Sequence, residues 1–349
     1  MEALLVDKIP VGAEWQYEPK VDGFRCLVFR NGTKLELQSK SGQTLTRYFP
    51  ELVATLLKLK ADQFVLDGEI IIPSKSGSSF DDLLLRIHPA QSRVEKLSHE
   101  TPAQLLAFDL LVDDAGLLLT GEPLKIRRRK LEAFAKKFFN DKERLQLSPG
   151  TVKLATAQKW LKSARVGFDG VVAKRLDLPY ASGERTAMQK IKRMRTADCV
   201  VGGFRYASKG KVIGSLLLGL YDSAGLLHHV GFTSSFNEAE KKELTKILEP
   251  LIKPPGFTGN APGGPSRWST KRSAEWEPLE TRLVAEVQYD HFSGGRFRHG
   301  TRFLRWRPDK KARQCDFKQI PAAKTSRQTA RSVGRRQEQE AAALFRKSS

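Results

Sequence analysis

Lys20 stands in the run Glu18-Pro-Lys-Val-Asp-Gly-Phe-Arg25, between two strand-like stretches. There a sheet can hold the lysine stem while the amine reaches into a pocket. An amine attacks a phosphoryl group only after losing its proton, from an ordinary pKa of about 10.4. Nearby cations such as Arg25, together with a bound metal, are expected to lower that value by disfavouring a second positive charge. Taken alone the K-x-D-G pattern is short, and a loop lysine among the 60 basic residues of the chain reads equally well.

Two further runs follow in order. Leu66-Asp-Gly-Glu69 ends one strand, and Phe168-Asp-Gly-Val-Val-Ala-Lys-Arg175 begins another. Each sets a carboxylate beside a glycine, where backbone can approach a ligand closely. Glu69 and Asp169, from separate strands, make a minimal site for Mg²⁺ or Mn²⁺, with waters and substrate phosphates completing the shell. Singly, each Asp-Gly reads as a turn; in this order behind Lys20 they read as one site. Lys190 and Lys192 alternate along a strand and so share a face, either gripping a phosphate or lining a solvated edge. Phe108, within Leu-Leu-Ala-Phe-Asp-Leu-Leu, either stacks on a base or belongs to a core.

The elements that must position these residues are legible from periodicity and turn chemistry. Phe24–Arg30 and Thr33–Gln38 read as strands joined by Asn31-Gly32, a favoured two-residue hairpin turn. Glu51–Lys60 has helical spacing, Phe64–Ile72 and Gln104–Val112 are strand-like, and Pro123 opens a basic helix to about Phe139. A short helix near Thr156–Ala164 precedes the strand Gly170–Lys174. From about Thr196 the texture turns to short strands: Cys199–Arg205, Ile213–Tyr221, Leu226–Phe232, Arg282–Tyr289 and Thr301–Arg307. A helix among them starts at Asn237 with Glu240 three residues on, a capping-box pattern, and ends near Pro250. One helix among about five short strands suits a small barrel of the OB type. Residues 253–272, rich in Pro, Gly and Ser, read as a mobile surface loop.

Composition bounds the partners. Sixty Lys and Arg against 39 Asp and Glu give a net charge of +21 over 349 residues, which favours a polyanion because phosphate contacts release condensed counterions. Cys26, Cys199 and Cys315 lie far apart, so neither a zinc site nor a disulfide framework is expected. Neither a secretory leader nor a membrane span is expected, since Asp109, Asp113 and Asp114 interrupt the longest apolar stretch. A reducing cytoplasm fits, and a monomer is the default. Residues 321–349 form a basic polar tail, either a flexible arm with nucleic-acid affinity or a solvated charge run, with 336–347 a helical candidate.

The ordered set resembles the covalent nucleotidyltransferases and, among them, the ATP-dependent DNA ligases. EPKVDGFR resembles their motif I, SKSGQTLTRYFPEL the stretch after it, and LDGE motif III. AFDLL is similar to motif IIIa, FDGVVAKR to motif IV, QKIK to motif V and RWRPDK to motif VI. The likeness runs from about Tyr17 to Phe317. It is strongest to the small bacterial C-type ligases, through GERTAMQKIKRMRTADCVVGGFR and YDHFSGGRFRHGTRFLRWRPDK.

The resemblance implies an α+β chain. An ATP-grasp-like nucleotidyltransferase (adenylation) domain of mixed and antiparallel sheets with helices would occupy 1–195, an OB-fold β-barrel 196–320, and the tail 321–349. It implies that Lys20 attacks the α-phosphate of ATP to give lysyl-AMP, that AMP passes to the 5′-phosphate at a nick or break in double-stranded DNA, and that the 3′-hydroxyl then displaces it. Glu18 would meet the adenine amino group, and Phe108 and Val172 would sandwich the base. Glu69 would serve ribose and metal, and Asp169 metal. Arg25, Lys40 and Arg185 would contact phosphates, and Lys190 and Lys192 the α-phosphate. Arg307, Asp309 and Lys310 would swing in with the OB domain to orient pyrophosphate.

Three departures stand out. Asp169 replaces the usual glutamate, Lys40 stands where arginine is common and cannot make its bidentate phosphate contact, and QKIK lacks the tryptophan often found before it. Little chain precedes Lys20, so Arg267, Lys271 and Arg272 in the Pro/Gly/Ser-rich stretch are expected to act as a DNA clamp. The rival functions are an RNA ligase, a capping-type guanylyltransferase, an NAD-dependent ligase, for which three scattered cysteines supply no zinc site, and a non-catalytic OB-fold nucleic-acid binder.

Overall fold

Strand alternation and bulges, more than helices, place the residues singled out above. The computed structural model of the chain describes residues 1–74, 77–163, 168–208, 210–263 and 275–320. It divides into two units, Met1–Met194 and Arg195–Ser349.

The strands of the first unit are β1 (Leu4–Leu5), β2 (Trp15–Val21), β3 (Phe24–Asn31), β4 (Lys34–Ser39), β5 (Gln63–Ile71), the short pair β6 (Pro73–Ser74) and β7 (Gly77–Ser78), β8 (Gln104–Val112), β9 (Leu145–Leu147), β10 (Phe168–Arg175) and β11 (Met188–Lys192). Its helices are α1 (Pro50–Leu57), α2 (Phe80–Arg86), α3 (Gln91–Glu100), α4 (Leu124–Phe138) and α5 (Leu154–Lys162). One sheet runs β1-β11-β10-β2 and a second β4-β3-β5-β8-β9. Gly32, with φ 60°, makes the β3–β4 turn, where a left-handed conformation is free of Cβ strain only for glycine.

Each sheet buries one face. Tyr17, Val171, Ala173 and Ile191 alternate toward α5 and pack with Ala157 and Trp15. Leu131, Phe134 and Phe138 of α4 sit in the core that covers the second sheet. Alternation then sends the intervening residues of β2, β10 and β11 to the opposite face.

The second unit contains β12 (Arg195–Tyr206), β13 (Ile213–Tyr221), β14 (Leu227–Thr233), α6 (Glu238–Leu248), β15 (Glu277–Pro278), β16 (Val284–Tyr289), β17 (Phe292–Ser293), β18 (Arg296–Phe297) and β19 (Arg302–Trp306). Its main sheet runs β14-β13-β12-β16-β19, with β15 on β12. A bridge between Thr233 and Thr301 brings the two edges of this sheet together, giving the OB-type arrangement. The capping box at Asn237 and Glu240 is present, with Glu240 N donating to Asn237 Oδ1 at 2.9 Å and Asn237 N to Glu240 Oε2 at 2.7 Å.

Four expectations need correction. Lys20 lies inside β2 rather than between strands, and Glu69 lies inside β5, which continues to Ile71. Helices α2 and α3 escaped the sequence reading because their apolar stripes are short. The start of the 253–272 stretch is no loose loop. Phe257 is buried in the core, where Gly202 leaves room for its ring, and His229 N donates to Asn260 O at 2.8 Å. Burying one aromatic ring outweighs the local Pro/Gly signal. Arg267, Lys271, Arg272 and the 321–349 tail lie outside the described residues. The three cysteines are buried and unbridged. No described helix is long and apolar enough to cross a membrane.

Candidate active site

Cross-strand register gathers the site. Glu18 of β2 faces Val172 of β10, which faces Lys190 of β11; one step along, Lys20 faces Gly170, which faces Lys192. Residues two apart on a strand share a face, so these form two adjacent rows. Gly170 permits the approach. A Cβ there would stand 1.9 Å from Ile191 O, and its φ of 152° disfavours other residues. The second sheet brings Arg25 opposite Glu69 and Asp67 opposite Asp109. A pocket in the first unit is lined from both sheets by Glu18, Lys20, Arg25, Glu69, Phe108, Val172 and Lys190, joined by Lys174, Met188 and Ser148.

Two site residues sit where the ladders slip. The β5–β8 register passes from Asp67↔Asp109 to Gly68↔Ala107, leaving Phe108 over. The β10–β2 register passes from Phe168↔Val21 to Gly170↔Lys20, leaving Asp169 over. A bulge re-aims the extra residue and breaks strict alternation. Here it releases Phe108 into the pocket and Asp169 onto the Lys20 amine.

Lys20 Nζ lies 3.2 Å from Asp169 Oδ2. Burial pulls the lysine pKa down, but Asp169, Glu69 and Asp22 outweigh it and hold the value above its ordinary position. The carboxylates outweigh burial, and Arg25 is not among the leading influences on the lysine. Arg25 is spent elsewhere. It grips Asp67 through Nε (3.0 Å) and Nη2 (2.7 Å), donates to Tyr180 Oη (3.1 Å), and also donates to the Met1 carbonyl. Glu69 is pushed up to about 8, first by burial, against the pull of Lys20 and Arg25.

At the other end of the pocket Lys174 Nζ pairs with Glu18 Oε2 at 2.9 Å, both nearly fully buried (3% and 4% exposed). Gln16 Nε2 donates to Glu18 Oε1 at 2.9 Å. The Lys174 ammonium also lies 4.4 Å from the centre of the Phe108 ring, with Arg25 at 5.8 Å. Lys174, Asp67 and Tyr180 were missed as site residues. Lys174 had a signal, two places beyond Val172 on the same strand face, and Asp67 likewise precedes Glu69 by two.

Cations collect beside Lys20. Glu2 bridges Lys40 (2.9 Å) and Arg185 (3.3 Å). Lys190 is lowered by burial and then by Lys192, Lys20, Lys40 and Arg185. Such a cluster can receive anionic groups such as phosphates. Glu69 and Asp169 offer hard carboxylate oxygens beside Lys20, and an Asp22 oxygen lies within 4.8 Å of one on Asp169. The paired oxygens of Asp22 and Asp169 suit Mg²⁺ or Mn²⁺, while Glu69 is not part of that close group.

In the second unit Arg307 Nη2 pairs with Asp309 (2.8 Å), and Arg307 Nη1 (2.9 Å) and Lys310 Nζ (2.6 Å) pair with Asp198. Hydrogen bonding from Arg307 holds the Asp309 carboxyl down to about 2.

Residues 6–192 match the family described as ATP dependent DNA ligase domain, and residues 209–310 match ATP dependent DNA ligase C terminal region. DNA ligase C2 of Mycolicibacterium smegmatis is 43% identical over 90% of this chain and 92% of its own length. DNA ligase C of Mycobacterium tuberculosis is 42% identical over 92% of each. A solved Lig E DNA ligase, 17% identical, shares the fold with a TM-score of 0.55 over 88% of this chain and all of its own.

Proposed function

The chain belongs to the ATP-dependent DNA ligase family, and from that premise we propose that Lys20 is the residue that carries AMP. The protein is an ATP-dependent DNA ligase acting on nicked DNA with ATP and a divalent metal. Relatives named as DNA ligases over nine-tenths of the chain favour this over capping, RNA joining or passive binding. One observation carries the proposal: Lys20 shares a sheet face with Glu18, Val172, Lys174 and Lys190, and that face meets Glu69 and Phe108 across one pocket.

The base enters between Phe108 and Val172, with its amino group toward Glu18, whose carboxylate Lys174 holds in place. The phosphates lie toward Lys190, Lys192, Lys40 and Arg185, while Arg25 reaches them from its Asp67 anchor. Lys20 Nζ forms a bond to the α-phosphorus as the bond to the bridging oxygen breaks and pyrophosphate leaves. The ammonium proton must depart first, although the neighbouring acidic groups, Asp169 foremost, hold it on. A divalent cation held by Glu69 and Asp169 would cancel part of that field and neutralise phosphate charge. AMP then passes to the 5′-phosphate of a nick, and attack by the 3′-hydroxyl releases it. Arg307, Asp309 and Lys310 serve pyrophosphate departure and withdraw before DNA enters.

The test incubates protein freed of bound AMP with α-labelled ATP or GTP and Mg²⁺, beside Lys20→Ala. Covalent label from ATP that vanishes in the variant is expected, whereas label that persists in Lys20→Ala assigns the nucleophile elsewhere. We also propose a DNA clamp at Arg267, Lys271 and Arg272. Removing residues 264–274, which spares Phe257, should weaken nick affinity, and unchanged binding in a gel-shift titration would remove the clamp. A monomer acting in cytoplasmic DNA repair completes the proposal.

A further inference from the structure

Asp198, outside the pocket, is held through both its side chain and its backbone. It sits on β12 opposite Glu286 of β16, and Glu286 sits opposite Arg305 of β19. Its carboxylate accepts from Arg307 Nη1 (2.9 Å to Oδ1) and from Lys310 Nζ (2.6 Å to Oδ2). Arg307 is held from its other edge by Asp309, through Nε (2.9 Å) and Nη2 (2.8 Å). The guanidinium plane is thus fixed between two carboxylates, and Lys310 is tied to one of them.

The backbone of Asp198 is held as firmly. The β12–β13 ladder begins at Val200, two residues later, so the outward N–H and C=O of Asp198 lie beyond its end. Gln319 closes both: Asp198 N donates to Gln319 Oε1 (2.8 Å) and Gln319 Nε2 donates to Asp198 O (2.9 Å). One side-chain amide takes the place of a missing strand neighbour, as buried backbone groups require.

We propose that Asp198 is a positioning residue for self-adenylylation, aligning Arg307 and Lys310 for the departing pyrophosphate. This rests on the reading of Arg307, Asp309 and Lys310 given above. Without the Asp198 charge Arg307 keeps Asp309 and, at 3.9 Å, Glu286, whereas Lys310 loses the carboxylate it is paired with and is released toward solvent. Because Asp198 touches no reacting atom, its effect passes wholly through those two side chains.

Asp198→Asn keeps the size of the side chain and the Gln319 clamp while removing the charge. Single-turnover labelling by ATP should slow about tenfold, and sealing of nicks that already carry a 5′-adenylate should stay within about twofold of wild type. Adding Asp198→Asn to Lys310→Ala should slow labelling by less than about twofold over Lys310→Ala alone, because the two act as a unit. Asp198→Glu, which restores the charge, should recover part of the rate, and it keeps the test open if the asparagine variant folds poorly. Equal losses in both steps with a lowered unfolding midpoint, or full additivity with Lys310→Ala, would overturn the proposal. So would normal labelling by Asp198→Asn while Lys310→Ala is slow. Normal labelling by Lys310→Ala itself would instead bring down the pyrophosphate reading on which the proposal stands.

Discussion

Around Lys20 the charged side chains rise from the middles of strands, several are buried, and their partners come from both sheets of one unit. Arg307, Asp309 and Lys310 follow the end of β19 and are paired with one another and with Asp198, Asp309 being 61% exposed. The first arrangement is a preformed receptor, which needs a ligand only to replace protons and ion pairs already aimed inward. The second is satisfied within itself. It can serve a ligand by exchanging partners around Asp198, which keeps its hold, and that suits groups needed for one step and withdrawn for the next.

The largest expected effect separates the two regions outright. Lys20→Ala should abolish covalent labelling by at least ~10⁴-fold while still sealing nicks that carry a preformed 5′-adenylate, because that later step uses no lysyl-AMP. Loss of both activities together would mean that the lysine also shapes the site. Next, Lys174→Met takes from buried Glu18 its nearest cation and leaves only the longer pair with Arg128, at 4.0 Å. A broken buried pair costs ~3–5 kcal/mol, read as a lower unfolding midpoint and a raised ATP requirement. An unchanged ATP requirement would remove Lys174 from the base subsite.

Asp309→Ala or Lys310→Ala should slow labelling by about 10–100-fold and sealing of preformed adenylates much less. Equal losses would dissolve the contrast between receptor and exchangeable cluster. The smallest effect is on stability alone. His229 is pulled down to about 3 by burial and then by Arg296 and Arg205, and Arg296 donates to its Nδ1 at 2.6 Å. The fold therefore favours the neutral ring. That contribution is complete above the ordinary value near 6.5 and is lost as pH falls from there toward 3, at a cost of up to a few kcal/mol. His229→Phe should flatten the acid limb of a stability-versus-pH curve and leave labelling at neutral pH unchanged.

Strand alternation in the sequence carried Lys190 with Lys192 and marked β8 and β13 with their observed bounds. It failed where the ladder slips. Phe108 and Asp169 owe their aim to bulges, and one extra residue in a ladder depends on the partner strand, which no local pattern records. The Lys20 pKa failed for a related reason. Arg25 is close in sequence, but Asp67, distant in sequence and adjacent in the sheet, claims it. Gln319 clamping Asp198 was equally out of reach, since it joins residues 121 apart.

The two bulges also bear on how such an enzyme can change. A residue held outside the ladder is uncoupled from the hydrophobic alternation that fixes its strand, so it can be exchanged without shifting the register of its neighbours. Asp169, one methylene shorter than the glutamate that the motif resemblance implies, occupies such a position, and a local adjustment of the bulge can make up the missing reach. Phe108 has the same freedom in the pocket. With Asp169 proposed to meet the metal and Phe108 the base, metal and base preference would be retuned where the architecture tolerates mutation, so new chemistry can be explored there while the surrounding sheets stay intact.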